Sequence, residues 1–220
     1  NAYHGTAFWN YNTDSLNANP NYFNTSLKPN ASDNHNFGAS VGGRLIRNRT
    51  FFFGTVERLD IKLFQSTTAT VPPAAFRNGD FSGLATAILD PATSQPFPGN
   101  IIPASRINPV ASKLLSSYIP APNEGTATHR YAVDATEVSN QFDIRVDQNF
   151  QNHTLFGRLS SKKVQRETPT TYESLGPRAS DNPVSTFVVS DNYAISPSLL
   201  NEARVGFTRA DQGFTTGVQG

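Results

Sequence analysis

The sequence alternates most regularly between polar and apolar residues over Ser139-Asn140-Gln141-Phe142-Asp143-Ile144-Arg145-Val146-Asp147-Gln148-Asn149-Phe150. One parity is apolar and holds Phe142, Ile144, Val146 and Phe150. The other parity is polar and holds Gln141, Asp143, Arg145, Asp147 and Asn149. Because successive side chains of a β-strand point to opposite faces, this pattern predicts a strand with one apolar and one polar face. Taken alone, such a strand fits a soluble β-sandwich with one solvated face better than a membrane barrel.

Six further segments alternate with a period of two and predict strands at about 2–11, 36–46, 51–63, 154–161, 184–195 and 199–208. Helical periodicity is nearly absent. The best helical window runs from Pro109 to Tyr118, and Pro120 ends it. The sequence therefore predicts an all-β fold, an antiparallel up-and-down meander of about seven strands.

The connections between the predicted strands alternate strictly between short and long. Three are hairpin turns, at 47–50, 151–153 and 196–198. The other three are long loops at about 12–35, 64–138 and 162–183. Short turns on one side and long loops on the other are typical of outer-membrane barrels, and strands of about 8–12 residues suit a tilted membrane crossing. The connections therefore favour part of a large transmembrane β-barrel over a sandwich.

The longest connection, 64–138, combines many Gly and Pro residues with apolar anchors such as Phe76, Phe81 and Phe97. A disordered linker would lack such anchors. We therefore expect an ordered excursion with a small core of its own.

Composition narrows the possible functions. The net charge is +1, and cysteine is absent, so neither a phosphate-binding surface nor a disulfide framework is expected. The four histidines, His4, His35, His129 and His153, lie in different segments, and no catalytic motif is present. We expect no enzyme activity, no metal, no cofactor and no nucleic-acid partner.

Two groups of residues are candidates for function in a barrel. Gln141, Asp143, Arg145, Asp147 and Asn149 would face the lumen. Within this set Arg145 stands between Asp143 and Asp147, which favours a ladder of ion pairs over a pair of catalytic carboxylates. Trp9 and Tyr11 would lie at the membrane interface. No ligand-binding residue is predicted.

Several motifs resemble TonB-dependent outer-membrane receptors, most closely the Oar-like branch of acidobacterial type. The most specific is Pro98-Gly99-Asn100-Ile101-Ile102-Pro103-Ala104-Ser105-Arg106-Ile107-Asn108-Pro109. The others, in chain order, are 1–8, 37–43, 50–54, 70–72, 79–82, 141–147, 155–158 and 199–209. Together they span nearly the whole chain.

The resemblance implies a barrel of about 22 strands with an N-terminal plug, which takes up a large ligand with energy passed on by TonB. It implies a Gram-negative outer membrane, with the long loops facing the cell exterior and lipid around the barrel. On this interpretation residues 1–220 form a partial barrel domain at the start of the barrel, without the plug and the remaining strands. The partners are the rest of the same polypeptide and the TonB system.

A second interpretation follows from the strand count. Seven strands cannot close a barrel wide enough for a plug, and both edges of such a sheet stay unpaired. The alternative function is therefore a self-assembling extracellular fibre or tube, in which strand addition joins copies of this chain.

Overall fold

The structure, a computed structural model, describes residues 2–18 and 31–217. Its strands are β1 (His4–Thr13), β2 (Ser32–Ile46), β3 (Thr50–Thr70), β4 (Thr128–Asn149), β5 (His153–Thr168), β6 (Arg178–Ser196), β7 (Leu199–Ala210) and β8 (Gly213–Thr216), and its helices are α1 (Ala74–Arg77) and α2 (Pro109–Tyr118). The strands form one sheet in the order β1-β2-β3-β4-β5-β6-β7. The predicted all-β antiparallel meander is confirmed.

The eighth strand is a continuation of the seventh. Both β7 and β8 pair with β6, and between them the Asp211 amide donates to the Pro183 carbonyl at 3.0 Å. Ala210 lies opposite Val184, so β8 follows on toward the start of β6 without reversing direction. Residues 211–212 separate the two strands, and β8 lies beyond the end of the predicted seventh strand, 199–208.

The observed strands are longer than the predicted ones, and the loops are correspondingly shorter. The predicted loop 64–138 is reduced to 71–127, and the predicted loop 162–183 to 169–177. In the loop 12–35, β1 extends to Thr13 and β2 begins at Ser32, while residues 19–30 lie outside the described residues. Residues 65–70 are mostly Ser and Thr and carry no apolar alternation, yet they still pair, because backbone hydrogen bonds do not require an apolar face.

The strand register gives the sheet two chemically distinct faces. One row across four neighbouring strands is Ile144, Leu159, Phe187 and Phe207, and we call its side the apolar face. The adjacent row is Asp143, Ser160, Thr186 and Thr208, and we call its side the polar face. The two parities predicted from the sequence of the fourth strand thus extend across its neighbours.

The apolar face is the exposed one. Among the described residues the only buried hydrophobic side chains are Ala69, Val71 and Ala135. On the apolar face, Ile144, Phe187 and Phe207 are each at least half exposed. This arrangement is the reverse of a soluble domain, which buries such residues, and it is typical of strands that face lipid.

The described residues divide into two compact units. The sheet unit comprises 2–18, 31–64, 134–168 and 178–215, and the excursion unit comprises 65–133, 169–177 and 216–217. The best helical window of the sequence, Pro109 to Tyr118, forms α2 in the excursion unit. It begins there because proline suits the first helical position and the Asn108 side chain accepts from the Val110 amide.

Two arginines hold the excursion unit in an ordered form. Arg77 donates to the carbonyl groups of Leu115, Ile119 and Pro120 at 2.7, 2.8 and 3.1 Å, and so satisfies acceptors that the end of α2 leaves open. Arg106 donates to both carboxylate oxygens of Asp90 at 2.6 and 2.9 Å. Hydrogen bonds from this guanidinium hold the pKa of Asp90 below its usual range.

Within the same unit, the connection 169–177 is tied to the excursion. The ring nitrogens of His129 lie 2.8 Å from the Ala121 carbonyl and 3.0 Å from the Glu173 carboxylate. Ser174 Oγ donates to the Tyr118 carbonyl at 2.5 Å, and the Tyr131 hydroxyl donates to the Thr170 carbonyl. The two connections are therefore one hydrogen-bonded assembly.

Close packing of β1, β2 and β3 requires glycine at position 38. A Cβ atom at Gly38 would lie 2.6 Å from the Val56 carbonyl oxygen and 2.9 Å from the Phe8 ring. We expect Gly38→Ala to lower the free energy of unfolding by about 1–3 kcal/mol, because the contact is with backbone. Urea unfolding of the protein in detergent micelles, followed by tryptophan fluorescence, measures this change.

Gly157→Ala is the matched control, because no atom lies within 4 Å of a Cβ at this strand position. Its free energy of unfolding should be unchanged or raised by up to about 1 kcal/mol. Equal destabilisation by the two variants would contradict the packing argument.

Candidate functional site

A cluster of charged and hydrogen-bonding side chains occupies the polar face where β4 and β5 pair. Asp143 is its centre, with a side chain only 12% exposed. The carboxylate accepts from Arg158 Nη2 at 2.6 Å, from Gln141 Nε2 at 3.1 Å, and from the Ser160 hydroxyl. A carboxylate with this many donors is held in one orientation.

A second ion pair stands beside the first. The register places Arg145 directly opposite Arg158, and like charges in opposed positions destabilise a sheet. Arg145 Nε and Nη2 donate to Asp147 at 2.8 and 2.6 Å, and its guanidinium lies 4.1 Å from the Phe156 ring centroid. Each arginine is thus neutralised by its own aspartate.

The predicted ladder of Asp143, Arg145 and Asp147 is present in a different form. Arg145 pairs with Asp147 as predicted, but the ion-pair partner of Asp143 is Arg158 of the neighbouring strand. The reason is the antiparallel register, which puts Ser160 opposite Asp143 and Arg158 on the adjacent diagonal. The sequence does not show how neighbouring strands are aligned. It therefore predicts that Arg158 and Ser160 lie on a polar face, but not that they lie beside Asp143.

The structure brings Gln141, Asp143, Arg145 and Asp147 together but leaves Asn149 apart. Asn149 lies at the end of β4, where its backbone amide donates to the Arg49 carbonyl at 2.7 Å and its backbone carbonyl accepts from Gln148 Nε2 at 3.2 Å. Phe53 and Thr55 of β3 join Asp143, Arg145 and Arg158 around an open cavity of about 300 Å³. The sequence does not single out these two β3 residues, because the consecutive Phe51-Phe52-Phe53 hides the alternation of that strand. The lumen-facing role of the polar set stays a prediction.

The two predicted interfacial aromatics form a stacked group on the apolar face. Trp9 and Tyr11 are 66% and 44% exposed, and their ring centroids lie 6.1 Å apart. The ring of His35 stacks on that of Tyr11, with centroids 4.7 Å apart. The Trp9 Nε1 atom lies 3.3 Å from Nδ1 of His35. An exposed stack of this kind suits the headgroup level of a membrane.

A further exposed aromatic, Tyr3, precedes the same strand and donates to the Arg44 carbonyl at 2.8 Å. Tyr3 and Tyr11 are eight residues apart, and at about 3.3 Å per residue this separation is roughly 26 Å along the strand. If the strand is tilted by about 40° from the barrel axis, the two rings differ in height by about 20 Å. The apolar band of a barrel between its two aromatic girdles is about 25 Å tall. The spacing fits such a band, and the interfacial role of Trp9 and Tyr11 stays a prediction.

None of the helices in residues 2–18 and 31–217 is long and apolar enough to cross a membrane. No group of three or more His, Cys, Asp or Glu side chains within those ranges is arranged to hold a metal ion.

We expect Asp143→Asn to lower the free energy of unfolding by about 1–2 kcal/mol, because it leaves two opposed guanidinium groups with one carboxylate. The exposed pair of Glu202 and Arg204 provides the control, and Glu202→Gln should cost less than about 1 kcal/mol. Chemical unfolding in micelles measures both changes. Adding Arg158→Gln to Asp143→Asn should restore part of the loss, and a purely additive double variant would contradict the pairing.

Comparison with known proteins agrees with this geometry. No curated protein and no solved structure matches the chain. A family model described as an outer membrane beta barrel domain matches residues 1–220. The exposed apolar face, the polar face with its ion pairs, and the alternation of turns and loops are features of such domains. The chain therefore belongs to the outer membrane beta barrel domain family and is an outer-membrane protein.

Proposed function

We propose that this chain forms the first part of the barrel of a TonB-dependent outer-membrane transporter, which binds and takes up a large ligand. The observation that carries the proposal is a sheet with an exposed apolar face, a charged polar face and two edges, at β1 and β7, that no other described strand covers. Such a sheet requires further strands to close, and a wide barrel supplies them. The motif series in the sequence supports the TonB-dependent type.

On this proposal the polar face lines the lumen. The cluster of Asp143, Arg145 and Arg158 then faces the plug or the ligand, and its two neutralised ion pairs provide a fixed, charged wall. The excursion unit belongs to the loops at the cell exterior, where it is available to capture the ligand. The partners are the remaining barrel and plug of the same polypeptide, the TonB system and outer-membrane lipid.

Uptake is tested by comparing the growth of two strains on a panel of single nutrient sources. One strain lacks this protein and the other lacks TonB. A shared growth defect on at least one large nutrient is expected, because both components serve one uptake route. Normal growth of the first strain wherever the second fails would contradict the proposal.

Orientation is tested with single cysteines, since the chain has none of its own. Ala85→Cys lies exposed in the excursion, and Ser198→Cys lies exposed in the turn between β6 and β7. A membrane-impermeant maleimide should label intact cells at position 85 only, and lysed cells at both positions. Labelling of position 198 alone in intact cells would reverse the proposed orientation.

The open edges also favour a second candidate, an extracellular fibre or tube built by strand addition between copies. The discriminating variant is Ala7→Cys combined with Val205→Cys, in the two edge strands β1 and β7. With a short bis-maleimide, a transporter should give no multimers, because other strands of its barrel cover both edges. A ladder of multimers, together with a native polypeptide near 23.9 kDa, would support the fibre.

A further inference from the structure

The apolar face of the sheet unit carries an open depression of about 540 Å³, which extends over β2, β3, β4 and β5. Its lining includes the exposed side chains of Phe37, Val56 and Phe142. The register places Ala39 opposite Val56 and Ser161 opposite Phe142. Small side chains therefore stand next to large ones, and the difference in size leaves the depression.

Three polar side chains in one row bound the depression on the side away from the hairpin turns. Asn140 lies two residues from Phe142 on β4 and so shares the apolar face with it. Lys163 is the register partner of Asn140, and Arg58 Nη1 donates to the Asn140 side-chain carbonyl at 3.1 Å. Arg58, Asn140 and Lys163 therefore stand side by side on three neighbouring strands, on the same face as the depression.

Carboxylates hold both cations from the side opposite to the depression. Arg58 Nε pairs with Asp60 at 3.0 Å, and Lys163 Nζ pairs with Asp181 at 3.0 Å. Both aspartates lie one row farther from the hairpin turns than the cations do. Each cation is thus positioned from behind, and it retains N–H donors that these contacts do not use.

This row suits the phosphate of a lipid headgroup. Phosphate oxygens are held by several donors, and guanidinium and ammonium groups are their strongest partners in proteins. The register continues the row from Arg58 through Phe37 to Trp9, one of the aromatics predicted for the membrane interface. Basic pockets at the level of the headgroups are typical sites for anionic lipids.

We propose that this depression binds a membrane lipid whose headgroup carries a phosphate. Arg58, Asn140 and Lys163 hold the phosphate oxygens, and an acyl chain lies over Ala39 and Ser161 in the direction of the hairpin turns. The charge of the row favours this lipid over a neutral one, and the apolar lining favours it over a soluble anion. The site requires only that the apolar face meets lipid, so it does not rest on the transport proposal.

The test is native mass spectrometry of the purified protein in maltoside micelles, titrated with dioleoyl phosphatidylglycerol. The comparison lipid is dioleoylglycerol, which has the same chains and no phosphate. We expect saturable binding of the phospholipid, at least about tenfold tighter than that of dioleoylglycerol, because one charge-assisted hydrogen bond contributes roughly that factor. Inorganic phosphate at about 10 mM should not displace the lipid, since the free anion gains nothing from the apolar lining.

Variants separate the two parts of the site. Arg58→Gln combined with Lys163→Gln should weaken phospholipid binding at least about tenfold, and Ser161→Leu, which keeps both cations and fills the depression, should weaken it about threefold or more. Arg204→Gln is the matched control, because Arg204 also pairs with a carboxylate two residues away but lies on the polar face. Its affinity should be unchanged. Lys163→Gln alone, expected to bind about threefold more weakly, decides the question if the double variant does not fold.

Four outcomes would overturn the proposal. The first is equal binding of the two lipids, and the second is equal affinity of the wild-type protein, Lys163→Gln and Arg204→Gln. The third is displacement of the lipid by inorganic phosphate, which would assign the row to a soluble anion. The fourth is a dimer in lipid-free spectra that Ser161→Leu abolishes, which would assign the depression to a second copy of this chain.

Discussion

Backbone hydrogen bonding between neighbouring strands is the constraint on which this structure depends. Since Ala69, Val71 and Ala135 are the only buried hydrophobic residues among those described, an internal hydrophobic core contributes little. A chain in an outer membrane must satisfy every backbone polar group internally, because hydrocarbon offers no partner. The long paired strands meet this requirement in the interior of the sheet. Within the described residues, the outer edges of β1 and β7 have no neighbouring strand in the sheet.

Because the apolar side chains point outward, the charged side chains are concentrated on the other face of the sheet. Positively and negatively charged side chains, such as Arg145 and Asp147, lie on the same face of the sheet. The strand register fixes the positions at which they can lie. Arg145 and Arg158 end up opposite each other, and the sheet tolerates them because Asp147 and Asp143 stand within hydrogen-bonding distance. The aspartates therefore act as counter-ions for neighbouring arginines, and the cluster can be rigid without a surplus of charge.

The sequence was sufficient for elements whose pattern is local. Alternation with a period of two located the strands, and Pro109 and Pro120 set both ends of α2. The sequence was insufficient where the alternation of polar and apolar residues changes within one strand. In β4, Tyr131, Val133 and Ala135 place apolar residues on the parity that is polar from Gln141 onward, so the predicted strand began too late. The partnership of Asp143 with Arg158 needed the register, which depends on hydrogen bonding between strands and leaves no local signal.

The hydrogen bonds that join the 169–177 connection to the excursion have a consequence for how these segments can be exchanged. Tyr131 and Ser174 each donate to a main-chain carbonyl of the other segment, and a ring nitrogen of His129 lies 3.0 Å from the Glu173 carboxylate. A graft of either connection alone from another barrel would leave these donors facing the wrong carbonyl groups. The two segments therefore form a single cassette, and an engineered barrel would have to exchange residues 71–131 and 169–177 together.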